Sequence, residues 1–409
     1  MRSKSNTEQP DTNEPLSWPG RLANFLSLER NVTAASSAVF LIGLGEELWK
    51  KFLPKYLESL GAGTLAIGFF GTAQDFFDAV YQYPGGWLAD RLGRRRAFLV
   101  FIALACIGYL IYLFSPSWPF VFIGLAFAMS WQSMASPGIF AIIADSLPRE
   151  RRAMGFTLQS ILKRVPIVIA PIAGGALIAS LGVVRGIQAG LLITLLLAAI
   201  TILLIRRVNI QVQASKVMNL KGVWQSFHFA LKRLLISDII IRTCEGMTGV
   251  LVILYVTNVL QFSIARFGTL IAIQMITSII VYLPAARIAD RIGRKPFVIA
   301  TFLSFALFPL LLMIASSFAG LVIAFVIAGL REIGEPARKA MIVDLAQEDV
   351  RARSVGLYYL MRSLSITPAA VIGGLLWKIR PEAPFFVAGI IGLIGTVVFA
   401  ATVEERHAS

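Results

Sequence analysis

Apolar runs long enough to cross a lipid bilayer recur along almost the whole of this 409-residue chain, and short turns between them carry most of its arginine. A spanning helix needs roughly 20 apolar residues. Twelve segments qualify, near 31–57, 63–90, 95–114, 118–146, 153–180, 185–206, 235–261, 265–289, 296–315, 318–346, 352–379 and 383–402. Backbone polar groups find no water in lipid, so these segments must bond within themselves, as helices do. Several exceed the minimum and are expected to tilt or to extend beyond the bilayer. The chain therefore reads as an all-α membrane protein with twelve transmembrane helices.

Composition agrees: 57% of residues are hydrophobic and 15% charged, against about 45–50% and about 25% in soluble domains. The formal net charge of +15 would suit nucleic acid if it formed one surface. It falls instead in short clusters between apolar runs, so a lipid bilayer is the expected partner and nucleic acid is not. Cys106 and Cys244 both lie inside apolar runs, and no disulfide framework is expected. Residues 1–15 are polar, lack the apolar core of a signal peptide and read as a disordered tail.

The basic turns alternate sides. One set holds Arg91 and Arg94 to Arg96, then Arg149, Arg151 and Arg152, the stretch from Arg206 to Arg233, Arg287 to Lys295, and Arg351 and Arg353. The opposite set holds Arg185, Arg266, Lys378, Arg380 and little else. Arg and Lys in short loops stay in the cytoplasm. Both termini are thus expected inside, in a bacterial or archaeal plasma membrane. The expected organisation is a tail (1–28), a six-helix bundle (29–206), a cytoplasmic linker (207–234), a second bundle (235–402) and a tail (403–409).

The halves share sequence marks. Residues 85–96 read GGWLADRLGRRR and residues 285–296 read AARIADRIGRKP. Pro84, Asp90-Arg91 and Gly93-Arg94 recur as Pro284, Asp290-Arg291 and Gly293-Arg294, at an offset of 200. Pro137 stands eight residues before Asp145 and Pro336 eight before Asp344, each followed by a basic turn. PIAGG at 171–175 returns as PAAVIGG at 368–374. Three ordered repeats at nearly one spacing indicate an internal duplication, two pseudo-symmetric six-helix bundles in parallel.

These motifs resemble the major facilitator superfamily over residues 30–402. GWLADRLGRR at 86–95 is similar to its signature between the second and third helices, and IADRIGRK at 288–295 to the copy between the eighth and ninth. APIAGG at 170–175 is similar to the fifth-helix motif of antiporter members, with Ala170 where glycine is usual. Drug antiporters of the family often carry an arginine in the fourth helix; residues 118–146 contain none. The resemblance implies two bundles rocking around a central cavity.

The signature has a physical reading. Gly86 and Gly93 permit close helix approach and a tight turn. Asp90 can face the positive N-terminus of a neighbouring helix, which the resemblance implies is the eleventh. Arg91 or Arg94 can pair with Asp145. Asp290, Arg291 or Arg294 with Gly293, and Asp344 would act likewise in the second half. These contacts would lock the cytoplasmic side; the plainer alternative is charge that only orients the chain.

Ionisable groups at membrane depth are expensive and mark pathways. Glu46 and Glu47 precede Lys50 and Lys51 by four residues, the favourable ion-pair spacing. Asp75 and Asp78 share a face, as do Arg242 and Glu245. The fifth segment adds Gln159, Lys163 and Arg164, the tenth Arg331, Glu332 and Glu335, and the eleventh Arg362. Two carboxylates on one face suppress each other's ionisation, so Asp75 and Asp78 lead as proton carriers, with Glu46 and Glu245 behind. Arg164 and Arg362 take nearly equivalent positions, ten or eleven residues before the paired glycines, with no partner on their own turn. They are candidate substrate ligands with Arg331, Glu332, Glu335, Gln159 and Trp131. Plainer readings remain: Glu46–Lys50 and Arg331–Glu335 as self-satisfied i,i+4 pairs, and the two lone arginines as partners of Asp75 and Asp78.

No metal site is expected. Cys244-Glu245 are adjacent and point about 100° apart on a helix, and His228 and His407 lie in the linker and the tail. No Walker loop or Ser-His-Asp pattern stands out, so neither ATP, a cofactor nor enzymatic catalysis is expected. The leading expectation is a secondary active transporter, a proton-coupled antiporter exporting a small organic molecule, amphipathic or anionic, and functional as a monomer. Alternatives are proton-coupled uptake of an anionic nutrient and a non-transporting sensor or scaffold.

Overall fold

The computed structural model describes residues 30–135, 139, 149–206, 224, 227–345 and 351–403. Both tails, most of the linker and Asp145 lie outside the described residues, as do the side chains of Asp90, Gln159, Asp290 and Arg291 and the surroundings of Gly86. The helices are α1 (Arg30–Glu47), α2 (Leu53–Ser59), α3 (Thr64–Leu92), α4 (Arg94–Leu113), α5 (Trp118–Met129), α6 (Arg149–Leu181), α7 (Val183–Ile205), α8 (Phe229–Gly249), α9 (Ile264–Ile292), α10 (Lys295–Ile314), α11 (Phe318–Leu330), α12 (Glu335–Asp344), α13 (Arg351–Ile366), α14 (Ala369–Trp377) and α15 (Ala383–Thr402). Helix α8 begins inside the expected linker, because His228 caps it: its Nδ1 accepts from the Ala230 N–H at 3.2 Å.

Several expected spans are interrupted. The first breaks between α1 and α2, where Pro54 opens the new helix. The fourth leaves α5 through a π turn at Ser130–Met134. The seventh bends by 44° between α8 and the segment Val252–Val259. The tenth breaks between α11 and α12, just before Pro336. These are the first, fourth, seventh and tenth segments; the eleventh is also interrupted, between α13 and α14 at Pro368. A broken helix frees backbone groups and turns side chains off the helical period, and π turns frequently mark functional positions. Among the described residues, seven helices are long and apolar enough to cross a membrane, eight if the bent pair counts as one. The breaks, and charges such as Asp75 and Asp78 in α3, explain why further segments fall short.

The helices pair in a repeating scheme. Helix α1 packs on α6 and α7, and α4 on α5 and α7. In the second part α8 packs on α13, α14 and α15, and α10 on α11 and α15. The two parts meet where α6 crosses α9 and where α3 crosses α13 and α14. Glycine makes these crossings close. A Cβ on Gly268 would lie 2.3 Å from the Pro171 carbonyl oxygen, and one on Gly68 2.7 Å from that of Ala370. These are equivalent positions in the repeat, and they explain the paired-glycine motif: backbone meets backbone there. At the same end, away from the Gly93 and Gly293 turns, Asn258 Nδ2 donates to Glu58 at 2.5 Å and Lys55 donates to Asn258 Oδ1.

Large apolar side chains also point outward, among them Leu196, Leu203, Ile280 and Val397, each at least 60% exposed. So broad an apolar exterior suits lipid rather than water. Gly93 and Gly293 follow α3 and α9 at φ 80° and 108°, a backbone conformation that favours glycine, so the repeated turn is a repeated backbone shape.

Candidate functional site

The breaks bring the ionisable residues together. In the second part, Asp238 and Arg338 are almost wholly buried and 2.5 Å apart. Arg338 also reaches Glu335 at 2.6 Å, and Tyr358 donates to Asp238 at 3.0 Å. Arg242 joins this core to the cavity side, at 3.2 Å from Glu335 and 2.8 Å from Glu245. Arg331 closes on Glu245 at 3.3 Å, and Arg362 lies 3.6 Å from Asp238. Each buried charge thus has an opposite neighbour, as low dielectric requires. The cluster holds four arginines, Arg242, Arg331, Arg338 and Arg362, against three carboxylates, Asp238, Glu245 and Glu335. The Nε of Arg362 is buried without a hydrogen-bond partner.

The first part is built differently. Tyr109 donates to Glu46 at 2.6 Å, Lys50 donates to Gln132, and Ser133 donates to Asp78 at 2.7 Å. Gln132 and Ser133 lie on the π turn after α5, which aims them at the turn after α1 and at α3. A cavity opens here, lined by Glu46, Glu47, Lys50, Trp131, Gln132 and Lys163 with apolar neighbours.

Among the described residues, one ion pair joins the two parts. Arg164 of α6 donates to Glu332 at 3.1 Å, and its guanidinium stacks 4.5 Å from the Tyr282 ring centre on α9. Asp75 lies near the other crossing: a Cβ on Gly246 of α8 would be 4.0 Å from its Oδ2. Among the described residues Asp75 has no hydrogen bond or ion pair, whereas Asp78, Glu46 and Glu245 are all engaged.

Several pairings differ from expectation. No ion pair joins Glu46 to Lys50 or Glu47 to Lys51, because α1 ends at Glu47 and the following turn rotates both lysines off the helical period. Arg331 and Glu335 do not pair with each other. The chain turns between them, so Arg331 faces Glu245 and the Ala328 carbonyl while Glu335 faces Arg338. Arg164 and Arg362 partner Glu332 and Asp238, not Asp75 and Asp78. Trp131 packs on Phe98 and lines the cavity. Asp238 and Arg338 were missed because they lie near segment ends. Their spacings were the available signal, Asp238 four residues before Arg242 and Arg338 three after Glu335.

At the repeated turns, Arg94 is buried and Arg91 lies 5.1 Å from the Trp87 ring centre. Arg294 forms an ion pair with Asp344, the second-half pairing expected from the motif. Gly85, next to Gly86, makes a close approach: its Cβ would fall 2.4 Å from Met134 Cα.

Known proteins place this architecture. The family model of the Major Facilitator Superfamily matches twice, over residues 35–233 and 234–409. An uncharacterized MFS-type transporter of Methanocaldococcus jannaschii is 24% identical over 381 residues, 91% of this chain and 94% of that protein. The class B tetracycline resistance protein of Escherichia coli is 24% identical over 133 residues, 32% of this chain and 33% of that protein. Among solved structures, the nucleoside transporter NupG superposes with a TM-score of 0.76 at 13% identity, covering 92% of this chain and all of the other. The family and these relatives are transporters and not enzymes. On its sequence, its helices and its repeated motif, the chain belongs to the Major Facilitator Superfamily and is a membrane transporter of that family.

Proposed function

We propose that the chain is a proton-coupled antiporter that exports a small organic molecule by alternating access. Two six-helix bundles of twelve spans in all, with both termini in the cytoplasm, rock about the crossings of α6 with α9 and of α3 with α13 and α14. The repeated pairing scheme and the double family match support the two-bundle reading. The tetracycline resistance relative supports export.

The observation that carries this reading is the Arg164–Glu332 pair between the two parts, together with Asp75 beside Gly246 at the other crossing, which has no partner among the described residues. Opening the crossing must break or exchange the pair. A substrate bound between the bundles competes for one of its members. Asp75 has no fixed cation, so it can gain and lose a proton without breaking an ion pair. Glu245, held by two arginines, serves as structure, and the Arg294–Asp344 pair serves as part of the cytoplasmic lock. Only differential contacts in the two states can shift the balance between them, and each of these groups supplies one.

Uptake of an anionic nutrient with protons is the second reading. The arginine excess around Asp238 and the unpartnered Nε of Arg362 favour it. Proteoliposomes with a pH-sensitive dye in the lumen separate the two. With an acid lumen, an antiported compound enters while the lumen turns alkaline; a symported one acidifies the lumen as it enters. If no compound of a broad drug and metabolite panel moves protons, proton coupling is wrong.

A further inference from the structure

The cavity between α1, the π turn after α5 and α6 has two charged walls that do not meet. Glu47 is 9% exposed, lines the cavity, and its Oε2 is buried without a hydrogen-bond partner. Lys163 on α6 lines the same cavity from the opposite helix, with its side chain exposed. Among the described residues no ion pair joins them and Lys163 has no hydrogen bond. The neighbouring charges are already committed: Glu46 to Tyr109, Lys50 to Gln132, and Asp78 to Ser133. One carboxylate and one ammonium therefore line a shared cavity without neutralising each other.

Leaving a buried carboxylate oxygen unmet is costly. A ligand that brings a cation to Glu47 and an anion to Lys163 relieves both charges at once. A singly charged ligand relieves one and leaves the other. Val39, Ile139 and Ile167 supply an apolar wall for the ligand's carbon skeleton.

We propose that this cavity is a substrate subsite selective for small amphoteric molecules, with an ammonium set against Glu47 and a carboxylate or other anion against Lys163. The proposal rests on the transporter reading above and names the substrate class for it. The spacing between the two ligand charges is then a selectivity determinant, because the two walls belong to different helices held at a fixed separation.

The test is binding, independent of protons and of transport direction. Purified full-length protein in nanodiscs is titrated calorimetrically with the free amino acids and with the ω-amino acid series from glycine to 6-aminohexanoate. Each probe is run beside the amine and the acid that lack its second charge. At least one zwitterion should bind, about tenfold or more tighter than either singly charged mate, with an optimum along the series. Glu47→Gln should erase the advantage over the acid alone, and Lys163→Met the advantage over the amine alone. Lys163 is exposed, so its variant remains informative if Glu47→Gln fails to fold. Binding of no zwitterion, equal binding of zwitterion and singly charged mates, or unchanged selectivity in both variants overturns the proposal. Zwitterion binding without proton movement in liposomes would leave this subsite standing and remove proton coupling instead.

Discussion

Arg164 and Glu332 lie 168 positions apart in sequence, yet the guanidinium of one donates to the carboxylate of the other at 3.1 Å. The pair links α6 to the turn that breaks the tenth segment. Their side chains are 25% and 35% exposed, so solvent weakens the attraction. Such a pair contributes about 0–1 kcal/mol to stability. Its weight is in choosing between conformations.

Reversing one member should therefore damage transport far more than folding. Arg164→Glu and Glu332→Arg alone should each lose most substrate flux with little change in melting temperature. The double exchange should recover a measurable part of it. Three equal, near-wild-type fluxes in proteoliposomes would show that the pair plays no part in the cycle.

The buried core of the second part behaves in the opposite way. Arg338→Met leaves Asp238 and Glu335 buried without their main partner. Breaking a buried pair from one side costs about 3–5 kcal/mol. The variant should melt well below wild type or fail to remain monodisperse in detergent. An unchanged melting curve would mean that water reaches these carboxylates.

Much of this was legible in the sequence, and the reason is repetition. The Asp-Arg-x-Gly turn and the paired glycines occur twice at nearly one offset, and both prove to be backbone features: positive φ at Gly93 and Gly293, and close crossings where Gly175 meets Ala265 and Gly374 meets Thr64. The ionisable residues were visible as a set, because charge in an apolar run stands out. Their partners were not. Arg331 and Glu335 have ion-pair spacing on a continuous helix, and hydropathy is blind to the break between them. Gln132 and Ser133 read as ordinary polar residues until the π turn aims them at Lys50 and Asp78. Asp238 and Arg338 sit near segment ends, where charge is commonplace, and only packing reveals that both are dry.

The glycine crossing gives a third prediction. Gly268→Val places a side chain against the Pro171 carbonyl, where a Cβ would already be 2.3 Å away. The crossing of α6 with α9 should separate, and the end bearing Lys55 and Asn258 should open. Spin labels at Ser59→Cys and Thr269→Cys should report a longer distance between the two parts than in the parent. The same distance in both would show that the seam has slack.

The repeated turns give a fourth. Asp344→Asn removes the charge that meets Arg294, and Asp90→Asn and Asp290→Asn remove the motif's own carboxylates. Each should raise maleimide labelling of cysteines introduced on the cytoplasmic side and lower it on the other. Labelling that matches the parent on both faces would reduce these charges to topology signals.

Proton coupling through Asp75 is the central claim, and proton flux measured beside substrate flux in one proteoliposome preparation tests it most directly. Asp75→Asn should abolish proton movement and gradient-driven accumulation while substrate counterflow continues, because the variant can still exchange conformations but has lost the carboxylate at that crossing that no cation holds. Accumulation driven by the pH gradient at the parent's rate in Asp75→Asn would contradict the account.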